Sequence, residues 1–454
     1  MNGQRSIFAE LARTMDSSVR VSSKRGEWSG RQLLDGAERF AAWLRVPNEV
    51  AAPLVAVFPD IVGTTVAMLA ADLAEVPVIH VDPTTRQLPP GTVATGAPCA
   101  APKAYADETL GIFAEPSAES VTLTGVPLRS QTFLTSGSTG GPMAVVRDAS
   151  AVLADAEHVI GRLNFSKDAP VVVGAPVAHV YGFNYGLVAA LLVGASVRFS
   201  GPHALPSQLA RAVAETGART LVSHPLHYWL IAQESVRQHA AVVPGLRQAV
   251  SAGGPLPPGA ARDVLAHHDL TLFNCYGSSE AGAVTLSPVG PDDGPGDAGA
   301  LLPGVEARTD NGELLLRTAS LASGHLTSDG LVPLPLRDGW FPTGDLAAVD
   351  QDRVLLKGRL AAVINVSGKK VSPEEIEHVL AGHPAVADAE VRAEDDDSHG
   401  QIPVARVVLH VAVPVAELVD WCRSRLAPHM VPRRFDILDE LPRSSTGKRR
   451  RASA

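Results

Sequence analysis

The architecture predicted by the sequence is α/β: a large N-terminal domain with βαβ-type parallel sheets and a small β-body, followed by a small α+β C-terminal domain. Three observations predict it. Between residues 151 and 276, helical and strand-like hydrophobic periods alternate, which is the pattern of repeated βαβ units around a parallel sheet. A stretch rich in Gly, Pro and Asp at 287–304 then interrupts that alternation, as a loop or domain seam does. After Gly358-Arg359 the periods change again, and the remaining roughly 90 residues are enough for an independent domain. The expected domains are therefore 1–358 and 359–454.

The elements follow in order. A helix at 151–163 leads to a short buried strand at 169–175, a helix at 183–193 and a strand at 195–199. The longest apolar stretch, 186–197, is broken by Gly194 and reads as buried helix. Next come a helix at 206–215, a strand at 220–223, a helix at 225–232, a strand at 248–251, a helix at 258–267 and a last apolar strand at 272–276. Parallel sheets of this kind carry their ligand loops at the carboxyl ends of the strands. Past the seam, β-like runs at 313–317 and 354–357 make a small antiparallel body. In the last domain strands are expected at 362–366, 386–391 and 404–411, with a helix over 414–426. Another helix opens at Ser372-Pro373-Glu374-Glu375, with serine as N-cap, proline at N1 and two carboxylates at the positive end of the helix dipole. The acidic run 394–398 reads as a solvated hairpin tip.

Composition narrows the function. Of 454 residues, 45% are apolar and 19% charged, which excludes a disordered chain. The net charge is -9, from 39 basic and 48 acidic residues, which disfavours nucleic acid or an anionic membrane as a partner. Cys99, Cys275 and Cys422 are far apart and form no CxxC or Cys/His cluster, so neither a disulfide framework nor a zinc site is expected. No apolar leader follows the N-terminus and no run approaches the ~18 residues of a membrane span. The expected location is the cytoplasm.

Five landmarks carry chemistry. Leu134-Thr-Ser-Gly-Ser-Thr-Gly-Gly-Pro142 is a flexible loop of hydroxyls and glycines, able to offer several N–H and O–H groups to a phosphate chain. It lacks the lysine of a Walker A loop. Tyr276-Gly-Ser-Ser-Glu280 ends the last apolar strand; the tyrosine can lie on a purine, and the glutamate is a hard oxygen ligand for Mg²⁺. Gly339-Trp-Phe-Pro-Thr-Gly-Asp345 places a carboxylate where it can take both hydroxyls of a ribose. Gly358-Arg359 opens the last domain, which begins with Gly368-Lys-Lys-Val-Ser-Pro-Glu-Glu-Ile-Glu377, and the chain ends near Pro442-Arg-Ser-Ser-Thr-Gly-Lys448.

In this order the landmarks resemble those of the adenylate-forming enzymes: acyl- and aryl-CoA synthetases, luciferases and peptide-synthetase adenylation domains. The resemblance spans residues 135–448, about 70% of the chain. It implies ATP- and Mg²⁺-dependent conversion of a small carboxylic acid to acyl-AMP, then transfer to the thiol of CoA or of a carrier-protein phosphopantetheine. It also implies that the C-terminal domain is mobile. By resemblance, Thr135, Ser136, Gly137, Ser138, Thr139 and Gly140 hold the β- and γ-phosphates. Tyr276 stacks on adenine opposite Gly253, Gly254 and Pro255, within the segment that includes Gly277 and Ser278. Ser279 contacts the α-phosphate, Glu280 binds Mg²⁺, and Asp345 with Arg359 takes the ribose. Lys448 bridges the carboxylate and the α-phosphate, where charge builds. His179 guards the acid pocket, Gly368 admits the pantetheine arm, and Tyr181, Phe183, Asn184 and Ser223 are candidate pocket residues. The segment 176–185 contains no acidic residue; a buried substrate ammonium would have no partner there, so an acid without an α-amino group is expected.

The sequence departs from the family pattern at Met143, where a lysine usually follows the proline, and Arg147 is the nearest candidate to replace that charge. Ala361 stands at the usual polar hinge position and Asn365 where a lysine is frequent. Two other outcomes stay open from sequence: an acyl-AMP ligase with an amine or other non-thiol acceptor, and a nucleotide-binding protein without turnover.

Overall fold

The computed structural model describes residues 5–45, 54–56, 61–81, 105–107, 110, 112–114, 126–135, 143–290, 293–294, 296–327, 330–366, 369–396 and 400–441. Contacts divide the chain into two units, one comprising Met1–Val289, Leu302–Val305 and Thr318–Pro335, the other Gly290–Leu301, Glu306–Arg317 and Leu336–Ala454.

In the first unit, the alternating segment forms most of an eight-stranded sheet. Its spatial order is Gly282–Pro288, Thr271–Ser278, Gln248–Ser251, Thr220–Ser223, Val171–Val173, Val197–Phe199, Arg20–Ser23 and Gly26–Ser29. The six strands from Thr271–Ser278 to Arg20–Ser23 are parallel, and the two edges are antiparallel. From Val171–Val173 the chain steps to one side, to Val197–Phe199, and then crosses to the other side, to Thr220–Ser223. Right-handed crossovers in opposite directions put the connecting helices on opposite faces. Pro206–Thr216, Pro225–Gln238 and Pro258–His267 accordingly share one core with Val172, Leu221, Ala249 and Leu272. The reversal makes the carboxyl ends of Val171–Val173 and Thr220–Ser223 the switch point, where ligands of open α/β sheets bind.

The helix expected at 183–193 begins instead as a turn of i→i+5 geometry over Gly182–Val188, with the Ala189 N–H on the Asn184 carbonyl, and continues as Ala189–Leu192. The 151–163 helix is Ala149–Ile160, capped by Asp148, whose carboxylate accepts the Ala151 N–H at 2.8 Å. A second sheet, mixed in direction, runs Gly330–Pro333, Gly324–Thr327, Met143–Arg147, Gln131–Thr135, Val78–His80, Leu54–Ala56. Beside it Ile61–Ala74 is buried from Ile61 to Asp72, as its continuous apolar sequence requires.

The second unit holds a five-stranded sheet, Asp297–Ala300, Arg353–Arg359, Phe341–Asp350, Glu313–Thr318 and Val305–Asp310. It also holds a second five-stranded sheet of Lys369–Val371, Ile364–Val366, Gly400–Leu409 and Val386–Asp396, with Arg434–Ile437 beside Gly400–Leu409. Helices Pro373–Ala381 and Val415–Arg423 contribute Ile376, Leu380, Leu418 and Cys422 to the core of that C-terminal sheet. The sheet of Asp297–Ala300 to Val305–Asp310 thus groups with the C-terminal residues, whereas the sequence places a boundary at 358. Ser372 and Pro373 occupy the N-cap and N1 as expected, but the Ser372 hydroxyl donates to the Glu374 carboxylate at 3.0 Å instead of capping the helix. Part of the expected acidic tip, residues 397–398, lies outside the described residues. Among the described residues no helix is long and apolar enough to cross a membrane.

Candidate active site

Parallel register lines up the carboxyl ends of the central strands. Ser223 stands beside Ser251 and Ser251 beside Asn274, so the segments that follow them, including Gly253-Gly254-Pro255 and Tyr276, emerge at one edge of the sheet. The half-buried Tyr276 lies at a register shift between Tyr276 and Gly277, where the strand bends into the turn that carries Ser278, Ser279 and Glu280. That turn depends on Gly282: its φ is +77°, and a Cβ there would lie 2.5 Å from the Asp155 carboxyl carbon. Ser278 accepts the Ala281 N–H on its hydroxyl at 3.1 Å.

Glu280 is the charged centre of this edge. The His325 Nε2 donates to its Oε1 at 3.2 Å, and only 16% of its side chain is exposed. Burial pushes the carboxyl pKa up, but hydrogen bonds from His325, its own N–H and Ser278 outweigh it and hold the group below the ordinary glutamate value. Glu280 is therefore an ionised, hard oxygen donor at neutral pH. Among the described residues no group of three His, Cys, Asp or Glu side chains could hold a metal. A cation at Glu280 fits as Mg²⁺ fits, on one carboxylate with the remaining ligands from phosphate and water. Sequence reasoning missed His325. No motif marks it, and only the pairing of Gly324–Thr327 with Met143–Arg147 brings it to the site.

Thr135 ends its strand opposite Met143, with its hydroxyl donating to the Met143 carbonyl at 3.3 Å. These residues anchor both sides of the loop, while Ser136, Gly137, Ser138, Thr139 and Gly140 lie outside the described residues, as do Gly368 and Lys448. Met143 is exposed.

Three expectations are overturned. Arg147 cannot replace the missing lysine: it has no exposed surface, pairs with Asp155 at 3.1 Å and donates to the carbonyls of Ser279, Ala151 and Ser320. Both faces of the strand are buried from Ala144 to Arg147, and the Arg147 Nη1 and Nη2 donors are committed there. Phe183 is not a pocket wall but core, with ring centroids 4.9 Å from His80 and 5.1 Å from Phe133. Asn184 is also fully buried, its amide donating to Asp155 at 2.5 Å. The i→i+5 turn points these two residues into the protein.

Other candidates stay at the switch point. His179 and Tyr181 follow Val171–Val173, are half-buried and have ring centroids 6.1 Å apart. Tyr181 lies over Gly253, where a Cβ would come 2.7 Å from the ring. Ser223 is buried, its hydroxyl 2.6 Å from His227 Nδ1, and His227 stacks on His224 at 4.2 Å. His224 donates to the Pro202 carbonyl at 3.0 Å. Burial lowers both imidazole pKa values, that of His227 to about 3, so both are neutral.

In the second unit, Asp345 and Arg359 face each other across adjacent strands, with Arg359 Nε 2.6 Å from the Asp345 carboxylate. Asp345 is nearly buried and Arg359 exposed. The Asp345 N–H is tied to the Thr343 hydroxyl at 3.0 Å.

A 2-succinylbenzoate–CoA ligase of Salmonella typhimurium is 31% identical over 303 residues, 66% of this chain and 63% of its own length. One from Bacillus subtilis is 28% identical over 332 residues, 69% of this chain and 66% of its own length. The alignments thus reach a little under two thirds of those relatives. ATP-bound MatB from Rhodopseudomonas palustris superposes with a TM-score of 0.81 at 21% identity, covering 98% of this chain and 97% of that one. The Bacillus subtilis o-succinylbenzoate CoA synthetase in complex with its acyl-adenylate intermediate gives 0.75 at 19% identity, with the same coverage. These two likenesses show the fold. Residues 131–326 match the family model of AMP-binding enzymes and residues 375–448 that of the AMP-binding enzyme C-terminal domain, together more than half of the chain, and the protein belongs to the AMP-binding enzyme family.

Proposed function

We propose that the chain is an AMP-forming carboxylate–thiol ligase: it condenses a carboxylic acid without an α-amino group with ATP and passes the acyl group to a thiol. The ionised Glu280 on its anchored turn, at the sheet edge that also carries Tyr276 and Gly253-Gly254-Pro255, is the observation that supports this reading most strongly. An acid oxygen attacks the α-phosphorus, pyrophosphate leaves, and a thiolate then attacks the acyl carbonyl with release of AMP. CoA is the favoured acceptor, because the relatives are named CoA ligases; a carrier-protein pantetheine presents the same thiol.

The roles are those that the resemblance to the family implies. Tyr276 and Gly253-Gly254-Pro255 flank the adenine, Ser279 meets the α-phosphate, and Thr135 with Ser136–Gly140 takes the outer phosphates. Glu280 would hold Mg²⁺, which when bound neutralises phosphate charge. Asp345, oriented by Arg359, accepts from the ribose hydroxyls. His179 and Tyr181 receive the acid at the switch point; the neutral His224 and His227 beside it offer no charge to an ammonium or a second carboxylate. Lys448 stabilises charge on the carboxylate and α-phosphate in the transition state, and Gly368 leaves room for the pantetheine arm. A hinge at Ala361 would let the C-terminal domain serve both half-reactions.

The test is acid-dependent ATP–pyrophosphate exchange across aryl, short and medium-chain acids, followed by addition of CoA or a holo-carrier. Exchange with at least one acid and thioester on adding thiol are expected. Exchange without any thioester would move the acceptor away from thiols, and no exchange with any acid would remove the activity.

A further inference from the structure

The turn carrying Ser279 and Glu280 is held from behind by residues that do not reach the candidate site. The Arg147 Nη1 donates to the Ser279 carbonyl at 2.7 Å, and its Nη2 reaches the Ser320 carbonyl at 2.9 Å. The Ser320 hydroxyl donates to the Ala281 carbonyl at 2.7 Å, and the Ala322 N–H to the Glu280 carbonyl at 2.7 Å. Asp155 completes the set: its Oδ1 accepts the Ala283 N–H at 2.8 Å, while its Oδ2 faces Arg147 and Asn184. The carbonyls of 279, 280 and 281 and the N–H of 283 are thus all fixed by groups outside the turn.

A buried ion pair is a weak device for stability alone, because desolvation of both charges offsets their attraction. A guanidinium is nonetheless suited to this place, since its planar fork can hold several carbonyls in one geometry. We propose that Arg147, Asp155 and Ser320 are positioning residues for adenylation, setting Ser279 and Glu280 in place before the nucleotide arrives. Ordering the turn in advance removes that entropy cost from binding and keeps the reacting geometry fixed. The proposal rests on reading Ser279 and Glu280 as contacts of the nucleotide and its metal.

Two full-length variants test it. Arg147→Lys keeps a charge beside Asp155 but cannot span the three carbonyls; Ser320→Ala removes the hydroxyl and leaves the ion pair. Hydrogen exchange at the 281–283 amides and Mg·ATP affinity by calorimetry are measured where circular dichroism shows each variant folded. We expect faster exchange at those amides in both. The Mg·ATP dissociation constant should rise about tenfold in Arg147→Lys and about threefold in Ser320→Ala at unchanged stoichiometry, as loss of one or two buried hydrogen bonds implies. Unchanged affinity in the folded molecules, with only a lower melting temperature or stoichiometry, would overturn the positioning role. Should Arg147→Lys fail to fold, Ser320→Ala decides alone. Wild-type protein that binds no Mg·ATP would instead sink the reading of the site, and the exchange measurement would still decide whether these residues hold the turn.

Discussion

Glu280 illustrates how a single side chain is tuned by its neighbours. Burial alone would raise its pKa, but His325, Ser278 and its own N–H supply enough hydrogen bonds to keep it ionised. Glu280→Gln keeps the shape and removes the charge, so exchange should fall on the order of 10²-fold while the melting temperature stays near that of the wild type. An intact rate would remove Glu280 from the metal site. At Met143 the chemistry is missing instead of tuned. Its exposed side chain follows the loop proposed to hold the phosphates, and the nearby Arg147 is locked inside, so on that proposal position 143 lacks the cation of the family pattern. Met143→Lys should therefore lower the KM for ATP about three- to tenfold through a new charge-assisted contact. An unchanged KM would show that position 143 does not face the phosphates. Sequence alone could not have corrected the expectation for Arg147. The spacing brings a cation near the loop, but both faces of the strand are buried from Ala144 to Arg147, and Asp155, eight residues on, pairs with the guanidinium there.

At the level of elements, the turn after Tyr276 is held together by a steric condition. With Gly282 at φ +77° and Asp155 directly beneath it, Gly282→Ala forces a left-handed alanine against a buried carboxylate. It should cost about 2–4 kcal/mol in chemical denaturation, and a loss below 1 kcal/mol would mean that the turn relaxes freely. The same scale shows what the sequence makes legible. The alternating segment matches the sheet strand by strand, because a parallel sheet buried on both faces writes continuous apolar runs between amphipathic helices. The landmark Tyr276-Gly-Ser-Ser-Glu280, at the end of the last apolar strand, is legible for the same reason, whereas Asp345 lies in the middle of Phe341–Asp350 and is marked by its motif alone. Pairings between distant strands were not. The partnership of Gly324–Thr327 with Met143–Arg147, which delivers His325, leaves no local trace. The i→i+5 turn at Gly182–Val188 has the apolar pattern of an ordinary helix, so the inward orientation of Phe183 and Asn184 could not be read from periodicity.

For the whole molecule, two buried histidines couple folding to pH. His80, stacked on Phe133 and donating to Gln131 at 2.7 Å, is pushed by burial down to about 4, and His227 down to about 3. Unfolded, both take up a proton near pH 6.5. Below that pH the unfolded chain binds protons that the native state refuses, so stability falls as pH drops from 6.5 and the His80 share is fully lost near pH 4. That share is about 3 kcal/mol. Urea midpoints at pH 7, 5 and 4 should show His80→Phe losing less of its own neutral-pH stability than the wild type, and parallel losses would exclude His80 as the source. The central claim remains chemical: an oxygen of the acid becomes bonded to the α-phosphorus of ATP. Turnover of an ¹⁸O-labelled acid with ATP and CoA, followed by mass analysis of the nucleotide, tests it most directly. One labelled oxygen in AMP is the predicted result, whereas label in inorganic phosphate with unlabelled nucleotide would contradict adenylation.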